Sequence, residues 1–123
     1  MKETFGSFIA KIRNEKGIGL RELSKRIDIS VFYLCNIEKG RRPAPSNKVL
    51  YKIANTLGLS EKEAEKMYDL AVESKPNQNL IPKDMKEYII SHQVVYQAIR
   101  TARDNGVSDS IWLDFIKKIE EKA

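Results

Sequence analysis

The sequence predicts an all-α protein, and two regularities along its 123 residues lead to that prediction. Apolar residues recur at intervals of three and four, the spacing that places them on one face of an α-helix. Helix-capping residues and helix-ending glycines separate these stretches from one another. Since 41% of the residues are hydrophobic, the chain can bury a small core, and we expect one ordinary domain with a short appendage.

Five helices are expected within residues 1–72, the predicted first domain. They cover residues 4–16, 20–27, 30–39, 46–57 and 60–72. Thr4, Ser30 and Ser46 are suited to cap helices, and Ser60 followed by Glu63 forms a capping box. The buried faces of the five helices are then given by their apolar spacing, beginning with Phe5, Phe8, Ile9 and Ile12 in the first.

The second and third helices meet at a short corner formed by Asp28 and Ile29. The small Ser24 lies where a crossing helix needs a close backbone approach. In the third helix Leu34 and Ile37 are expected to turn inward. The opposite face carries Val31, Phe32, Cys35 and Asn36, and it is unusually apolar for a surface, so these residues predict either more core or a contact surface.

Residues 73–81 are polar and contain a proline, which predicts a linker. Residues 82–123 then form a helical C-terminal extension, with helices over 82–92, over 94–104 and from Ser108 onward. The charge follows the same division. Residues 1–72 carry 14 Lys and Arg against 9 Asp and Glu, a net +5, whereas residues 73–123 carry 8 of each. Within residues 11–52 there are 11 basic and 4 acidic side chains, as expected of a surface that meets a polyanion.

The residue content argues against other classes of function. One Cys and one His cannot complete a four-ligand zinc site, so we expect neither a metal nor another cofactor. His92 and Cys35 lack the partner motifs of a catalytic site, and we do not expect an enzyme. No apolar run approaches the length of a membrane span, which predicts a cytoplasmic protein with no membrane partner.

From residue 8 to residue 59 the chain resembles the Xre/Cro-type helix-turn-helix family, the phage-repressor-like regulators common in bacteria and their mobile elements. The matching residues are RELS at 21–24, Ser30, YLCNIEKGRRPAPS at 33–46 and IANTLGL at 53–59. The resemblance implies a five-helix lambda-repressor-like DNA-binding domain. It also implies a transcriptional regulator that binds double-stranded DNA, and we expect a repressor because the chain has no large effector or activating domain.

The sequence departs from the pattern of the family in three ways. Gly19 and Leu20 stand where many members have Ser or Thr followed by a phosphate-binding Gln. Asp28 replaces the common glycine of the corner. Val31 and Phe32 occupy positions that are often polar, which leaves the target sequence open while the fold is retained.

The resemblance implies that the helix over residues 30–39 enters the major groove. Base readout is expected from Asn36 and, through thymine methyl groups, from Val31 and Phe32; a solvated Asn36 and burial of the two apolar residues are the alternatives. Contacts to the DNA backbone are expected from Ser30, Tyr33, Lys39, Arg41 and Arg42. Weaker backbone candidates, for which an ordinary surface charge is the simpler role, are Arg13, Lys16, Arg21 and Lys25.

Family members usually bind paired half-sites as dimers, which implies a homodimer here. The C-terminal extension is the expected dimer contact, or alternatively it docks on the first domain. The residues proposed for either role are Tyr88, Val95, Tyr96, Ile99, Trp112, Phe115 and Ile116. A different function is also open, in which an antitoxin or a mobile-element inhibitor uses the same scaffold, with Val31 and Phe32, to bind a protein partner, with or without autoregulation.

Overall fold

The structure is a computed structural model that describes residues 2–75 and 81–123. Within those ranges it contains eight α-helices and no strand, so the expected all-α fold is confirmed. In chain order the helices are α1 (Phe5–Glu15), α2 (Leu20–Arg26), α3 (Val31–Glu38), α4 (Asn47–Leu57), α5 (Glu61–Glu73), α6 (Lys83–Ser91), α7 (Val94–Asp104) and α8 (Asp109–Lys122). The predicted bounds differ from these mainly by the capping residues, which lie just outside each helix.

Three of the four predicted capping hydrogen bonds are present. The hydroxyls of Thr4, Ser30 and Ser60 each accept a hydrogen bond from the backbone N–H three residues later, at 3.1, 3.0 and 3.1 Å. Glu63 completes the capping box of α5 by accepting from the backbone N–H of Ser60 at 2.9 Å. Ser46 precedes α4 as predicted. The predicted capping hydrogen bond is wrong, because the side chain of Ser46 makes none.

The buried core belongs to the first five helices. Among the described residues every buried hydrophobic side chain falls between residues 5 and 71. The largest fully buried side chains are Ile9, Leu23, Ile27, Leu34, Ile37, Leu50, Ile53, Leu57 and Met67. Helix α1 packs on α3 and α5, and α2 packs on α3 and α4. Leu34 and Ile37 therefore fix α3 against two helices while its opposite face stays outside the core.

Helices α1 and α3 approach closely at Gly6. A Cβ atom added to Gly6 would overlap the backbone carbonyl oxygens of Ile37 and Glu38. Only glycine leaves room for those carbonyls, and this requirement outweighs the cost of glycine inside a helix. The need for glycine depends on another helix, so no local pattern predicts it.

The chain forms two compact units, Met1–Lys86 and Glu87–Ala123, which we call the first unit and the C-terminal unit. The first unit includes α1 to α5, and the C-terminal unit includes α7 and α8. Of the predicted linker over 73–81, residues 76–80 lie outside the described residues, and the predicted domain limits stay a prediction. None of the helices in the described part of the chain has both the length and the apolar content needed to cross a membrane.

Candidate nucleic-acid interface

The corner between α2 and α3 is built as a tight left-handed turn. Asp28 has φ of 62°, a conformation that Asp adopts more readily than most residues, so the predicted role of Asp28 in the corner is confirmed. The backbone N–H of Ile29 donates to the carbonyl of Ser24 at 3.0 Å. Ser24 is 5% exposed, and its hydroxyl donates to the carbonyl of Arg21 at 2.9 Å. A small, internally satisfied side chain at this position lets the helices cross closely.

The start of α3 is fixed by Ser30 and Tyr33. The hydroxyl oxygen of Ser30 accepts the backbone N–H of Tyr33, which leaves the hydroxyl proton free to donate to an anion. Tyr33 is half-buried and packs against the core with its ring. Both residues thus lie at the N-terminal end of α3, where the helix dipole favours negative charge.

The outward face of α3 presents a large apolar side chain to solvent. Phe32 is 76% exposed, so the alternative in which Phe32 is buried within this chain is wrong. Val31, Cys35 and Asn36 are half-buried around it, and none belongs to the buried core. Phe32 and Asn36 are four residues apart and therefore share one face of the helix.

The exit from α3 folds back onto that face. Gly40 has φ of 77°, and the backbone N–H groups of Arg41 and Arg42 both donate to the carbonyl oxygen of Asn36, at 2.9 and 3.3 Å. The guanidinium of Arg41 also lies 3.5 Å from the side-chain carbonyl oxygen of Asn36. The charged ends of Lys39, Arg41 and Arg42 are exposed. Three cations are therefore displayed beside the exposed face of α3, one of them coupled to the candidate base-reading Asn36.

The guanidinium of Arg13 is bound within the fold, so both expected roles of Arg13, an ordinary surface charge and a DNA-backbone contact, are wrong. Its Nε and Nη2 donate to the two carboxylate oxygens of Glu38 at 2.8 and 3.0 Å, and Nη1 donates to the carbonyl of Ile18 at 2.9 Å. The side chains of Arg13 and Glu38 are 13% and 10% exposed. The hydrogen bond to Glu38 raises the pKa of Arg13, against the opposing effect of burial. Arg13 and Glu38 are 25 residues apart in the chain, so no helical spacing in the sequence indicates that they pair.

The other weaker candidates are exposed on or beside α1 and α2: Lys16, Arg21 and Lys25. Their exposure is compatible with an ordinary surface charge and with a phosphate contact. No group of His, Cys, Asp and Glu among the described residues is arranged to hold a metal ion. The interface therefore consists of the N-terminal end of α3, its apolar outer face and the basic exit loop.

The C-terminal unit exposes a long apolar surface. Helices α6, α7 and α8 contain no buried residue. A groove of about 490 Å³ runs between α7 and α8 and is lined mainly by Val94, Ala98, Ala102, Ile111, Trp112 and Phe115. Of the residues predicted for dimer contact or docking, Trp112 and Phe115 line this groove. Tyr88, Tyr96, Ile99 and Ile116 are exposed outside it, and Val95 is half-buried.

Comparisons with known proteins place residues 6–71 in a family described as a helix-turn-helix domain. An uncharacterized HTH-type transcriptional regulator, y4dJ, of Sinorhizobium fredii (strain NBRC 101917 / NGR234) is 40% identical over 63 residues. That match spans 51% of this chain and 80% of the relative. A solved structure of a SinR protein/SinI protein complex contains a chain with a similar fold, with a TM-score of 0.50, 23% identity and 97% of both chains covered.

Proposed function

The chain belongs to the helix-turn-helix domain family as an Xre-type regulator, and from that premise we propose that it represses transcription from a paired half-site operator as a homodimer. The observation that supports the proposal most is the placement of three exposed cations beside the solvent-facing side of α3. A surface of this kind can bind phosphates with the loop while the helix reads bases in the major groove. We also propose that the protein is not an enzyme and that it acts in the cytoplasm.

Asn36 and Phe32 are the proposed base-reading residues, with Val31 beside them. A carboxamide donates to and accepts from adenine at once, and the exposed Phe32 ring packs on thymine methyl groups. Arg41 lies 3.5 Å from the side-chain oxygen of Asn36, an exposed and weak contact that leaves Asn36 able to pair with a base. Arg41 contacts a phosphate whether or not Asn36 has found its base, so its contribution does not depend on sequence.

The proposed phosphate contacts come from Lys39, Arg41 and Arg42 in the loop and from Ser30 and Tyr33 at the start of α3. Each loop cation adds affinity that is independent of sequence and weakens with salt. The Ser30 hydroxyl donates to a phosphate while its oxygen still caps α3. This division gives the loop the affinity and the helix the specificity.

The homodimer contact is proposed for the C-terminal unit. A unit below about 40 residues rarely holds its fold without a partner, and this one buries none of its helical side chains. Residues 87–123 carry five basic and six acidic side chains, so two copies repel each other little. Two such units joined through their grooves would form the dimer, and dimers of this kind bind half-sites about 34 Å apart, or a multiple of that distance.

The proposal is tested by selecting bound fragments from a pool of random duplex DNA at physiological salt. A palindromic motif with two half-sites is the expected result. Fragments without a common motif, retained only at low salt, would contradict the proposed regulator.

A second function is favoured by the 76% exposed Phe32 together with the apolar groove of the C-terminal unit. Both surfaces fit an antitoxin or inhibitor whose helix-turn-helix scaffold binds a protein partner. The basic loop argues for DNA, because a scaffold that binds only protein gains little from three cations beside α3. Weak, salt-sensitive DNA binding without a motif in the same selection would favour this second function.

A further inference from the structure

A cleft on α4 lies outside the interface described above. It has a volume of about 530 Å³ and is lined chiefly by Arg26, Lys48, Tyr51, Lys52, Asn55 and Thr56, with Asn47 and Lys83 at its edges. We call it the α4 cleft. None of its lining residues is acidic, and four carry a positive charge.

The chemistry of the lining matches the side chains that contact DNA phosphates. Such contacts come from Lys and Arg and from the amide or hydroxyl groups of Asn, Gln, Ser, Thr and Tyr. All eight lining residues belong to that set. The Tyr51 ring is 56% exposed, with Nζ of Lys83 at 5.6 Å from its centroid. The lining contains no Leu, Ile, Val, Phe or Trp.

Two of the cations are uncommitted. The ammonium groups of Lys48 and Lys52 make no hydrogen bond or ion pair with any residue that the structure describes, and they lie four residues apart on one face of α4. Arg26 pairs with Glu22 through a 2.7 Å contact that is exposed to solvent and therefore weak. The cleft thus displays more positive charge than this part of the chain neutralises.

The α4 cleft begins soon after the basic loop along the chain. Asn47 follows Arg42 by five residues, which limits their separation to about 17 Å. From Asn47 to Thr56 the cleft extends about 14 Å along α4. The phosphates of one DNA strand are spaced by 3.4 Å along the helix axis, so a surface of this length is large enough to contact more than one of them.

We propose that the α4 cleft is a second phosphate-binding surface, which binds the backbone of duplex DNA beside the bases that α3 contacts. The proposal rests on the proposed function for its ligand, duplex DNA, but not on sequence-specific recognition or on repression. Its contacts add affinity for any sequence, since they address phosphates alone.

The test measures binding of the full chain to a 40-base-pair duplex of random sequence by fluorescence anisotropy over a series of NaCl concentrations. Each lost phosphate contact lowers the slope of log affinity against log salt by about 0.9. Lys48→Gln combined with Lys52→Gln is expected to lower the slope by about 1.8. Glu22→Gln frees Arg26 and is expected to strengthen binding several-fold at low salt.

The matched control combines Lys11→Gln with Lys62→Gln, which removes the same charge from exposed positions on α1 and α5. This control is expected to leave the slope within about 0.5 of the wild-type value, because no phosphate contact is lost. An unchanged slope in the Lys48 and Lys52 variant, or an equal fall in the control, would overturn the proposal.

Two further readouts separate the outcomes. If the wild-type chain binds duplex DNA without sequence preference, the proposed function fails, while the comparison of slopes still decides the role of the cleft. If the Lys48 and Lys52 variant keeps the wild-type slope but loses binding to a 20-residue peptide of Asp and Glu, the cleft binds an acidic protein segment and the proposal is wrong. Circular dichroism and thermal unfolding of each variant confirm that these surface changes leave the fold intact.

Discussion

Arg13 and Glu38 join the first helix to the last residue of the third through two parallel hydrogen bonds of 2.8 and 3.0 Å. A third bond from Arg13 to the carbonyl of Ile18 ties the same guanidinium to the segment that precedes α2. One side chain therefore holds together the three parts of the chain on which the orientation of α3 depends. Since α3 is the proposed reading helix, this pair positions the interface without touching DNA.

Glu38→Ala is expected to lower the free energy of unfolding by about 3 kcal/mol or more, because it leaves the largely buried Arg13 charge without its partner. Urea unfolding monitored by circular dichroism measures the loss. Arg26→Ala is the control, since its pair with Glu22 is exposed and worth less than about 1 kcal/mol. Similar losses in the two variants would contradict the structural role of Arg13 and Glu38.

Gly6→Ala is expected to destabilise the fold by about 1 to 3 kcal/mol, although Ala favours helices, because the new methyl group overlaps the carbonyls of Ile37 and Glu38. Gly19→Ala provides the contrast. Gly19 has open space around its Cβ position and φ of −71°, so Ala meets no clash there, and the change is expected to cost only about 0.5 kcal/mol, because Gly is preferred to Ala at the N-cap of α2. Thermal unfolding distinguishes the two, and an unaltered midpoint for Gly6→Ala would show that the close approach is absent.

The capping box of α5 is expected to be acid-sensitive. The backbone hydrogen bond from Ser60 lowers the pKa of Glu63, so the folded state binds the Glu63 proton less readily than the unfolded chain. The stabilisation is therefore complete above the ordinary pKa of a Glu carboxyl and is lost as the pH falls through the lowered value. Stability of the wild type and of Glu63→Gln, measured between pH 7 and pH 2, is expected to converge toward the acid end. A difference that stays constant with pH would contradict this account.

Ser60→Ala removes the other half of the capping box and is expected to cost about 1 kcal/mol. Ser46→Ala is the matched control, because Ser46 holds the same position at α4 without a capping hydrogen bond. Its expected cost is a few tenths of a kcal/mol. Chemical unfolding of the two variants side by side gives the comparison, and a larger loss for Ser46→Ala would reverse the assignment.

Phe115→Ala is expected to weaken self-association about 30-fold or more, since an aromatic side chain in the α7–α8 groove has the features of an interface hot spot. Leu113→Ala is the control: Leu113 is 64% exposed on α8 and does not line the groove. Sedimentation equilibrium of the full chain measures both variants. A wild-type monomer at high micromolar concentration would contradict the proposed dimer.

Local chemistry made most of the helices predictable. Ser30, Ser60 and Gly58 signal helix boundaries through short-range hydrogen bonds and backbone preferences, and Gly58 indeed has φ of 60°. The interior stripe of α1 follows from its spacing alone. Ser46 shows the limit of this reasoning, because a capping residue type at the right position does not ensure the hydrogen bond.

The long-range contacts could not be predicted, because they join residues of different helices, and helical spacing relates only residues within one helix. The pairing of Arg13 with Glu38 and the approach at Gly6 both depend on how α1 packs against α3. The α4 cleft likewise combines Arg26 of one helix with Lys48 and Lys52 of another. In the interface, the apolar character of the α3 face was visible in the sequence, but the exposure of Phe32 required the packed structure.

The central claim is that α3 reads bases while the loop binds phosphates, and the ratio of affinities for the selected motif and for random DNA tests it most directly. Asn36→Ala is expected to lower that ratio roughly 5- to 150-fold, because a bidentate base contact is worth about 1 to 3 kcal/mol of discrimination. Arg41→Ala is expected to weaken binding to both DNAs alike, to leave the ratio nearly unchanged and to lower the salt slope by about one. Equal losses on specific and random DNA in both variants would contradict the claim.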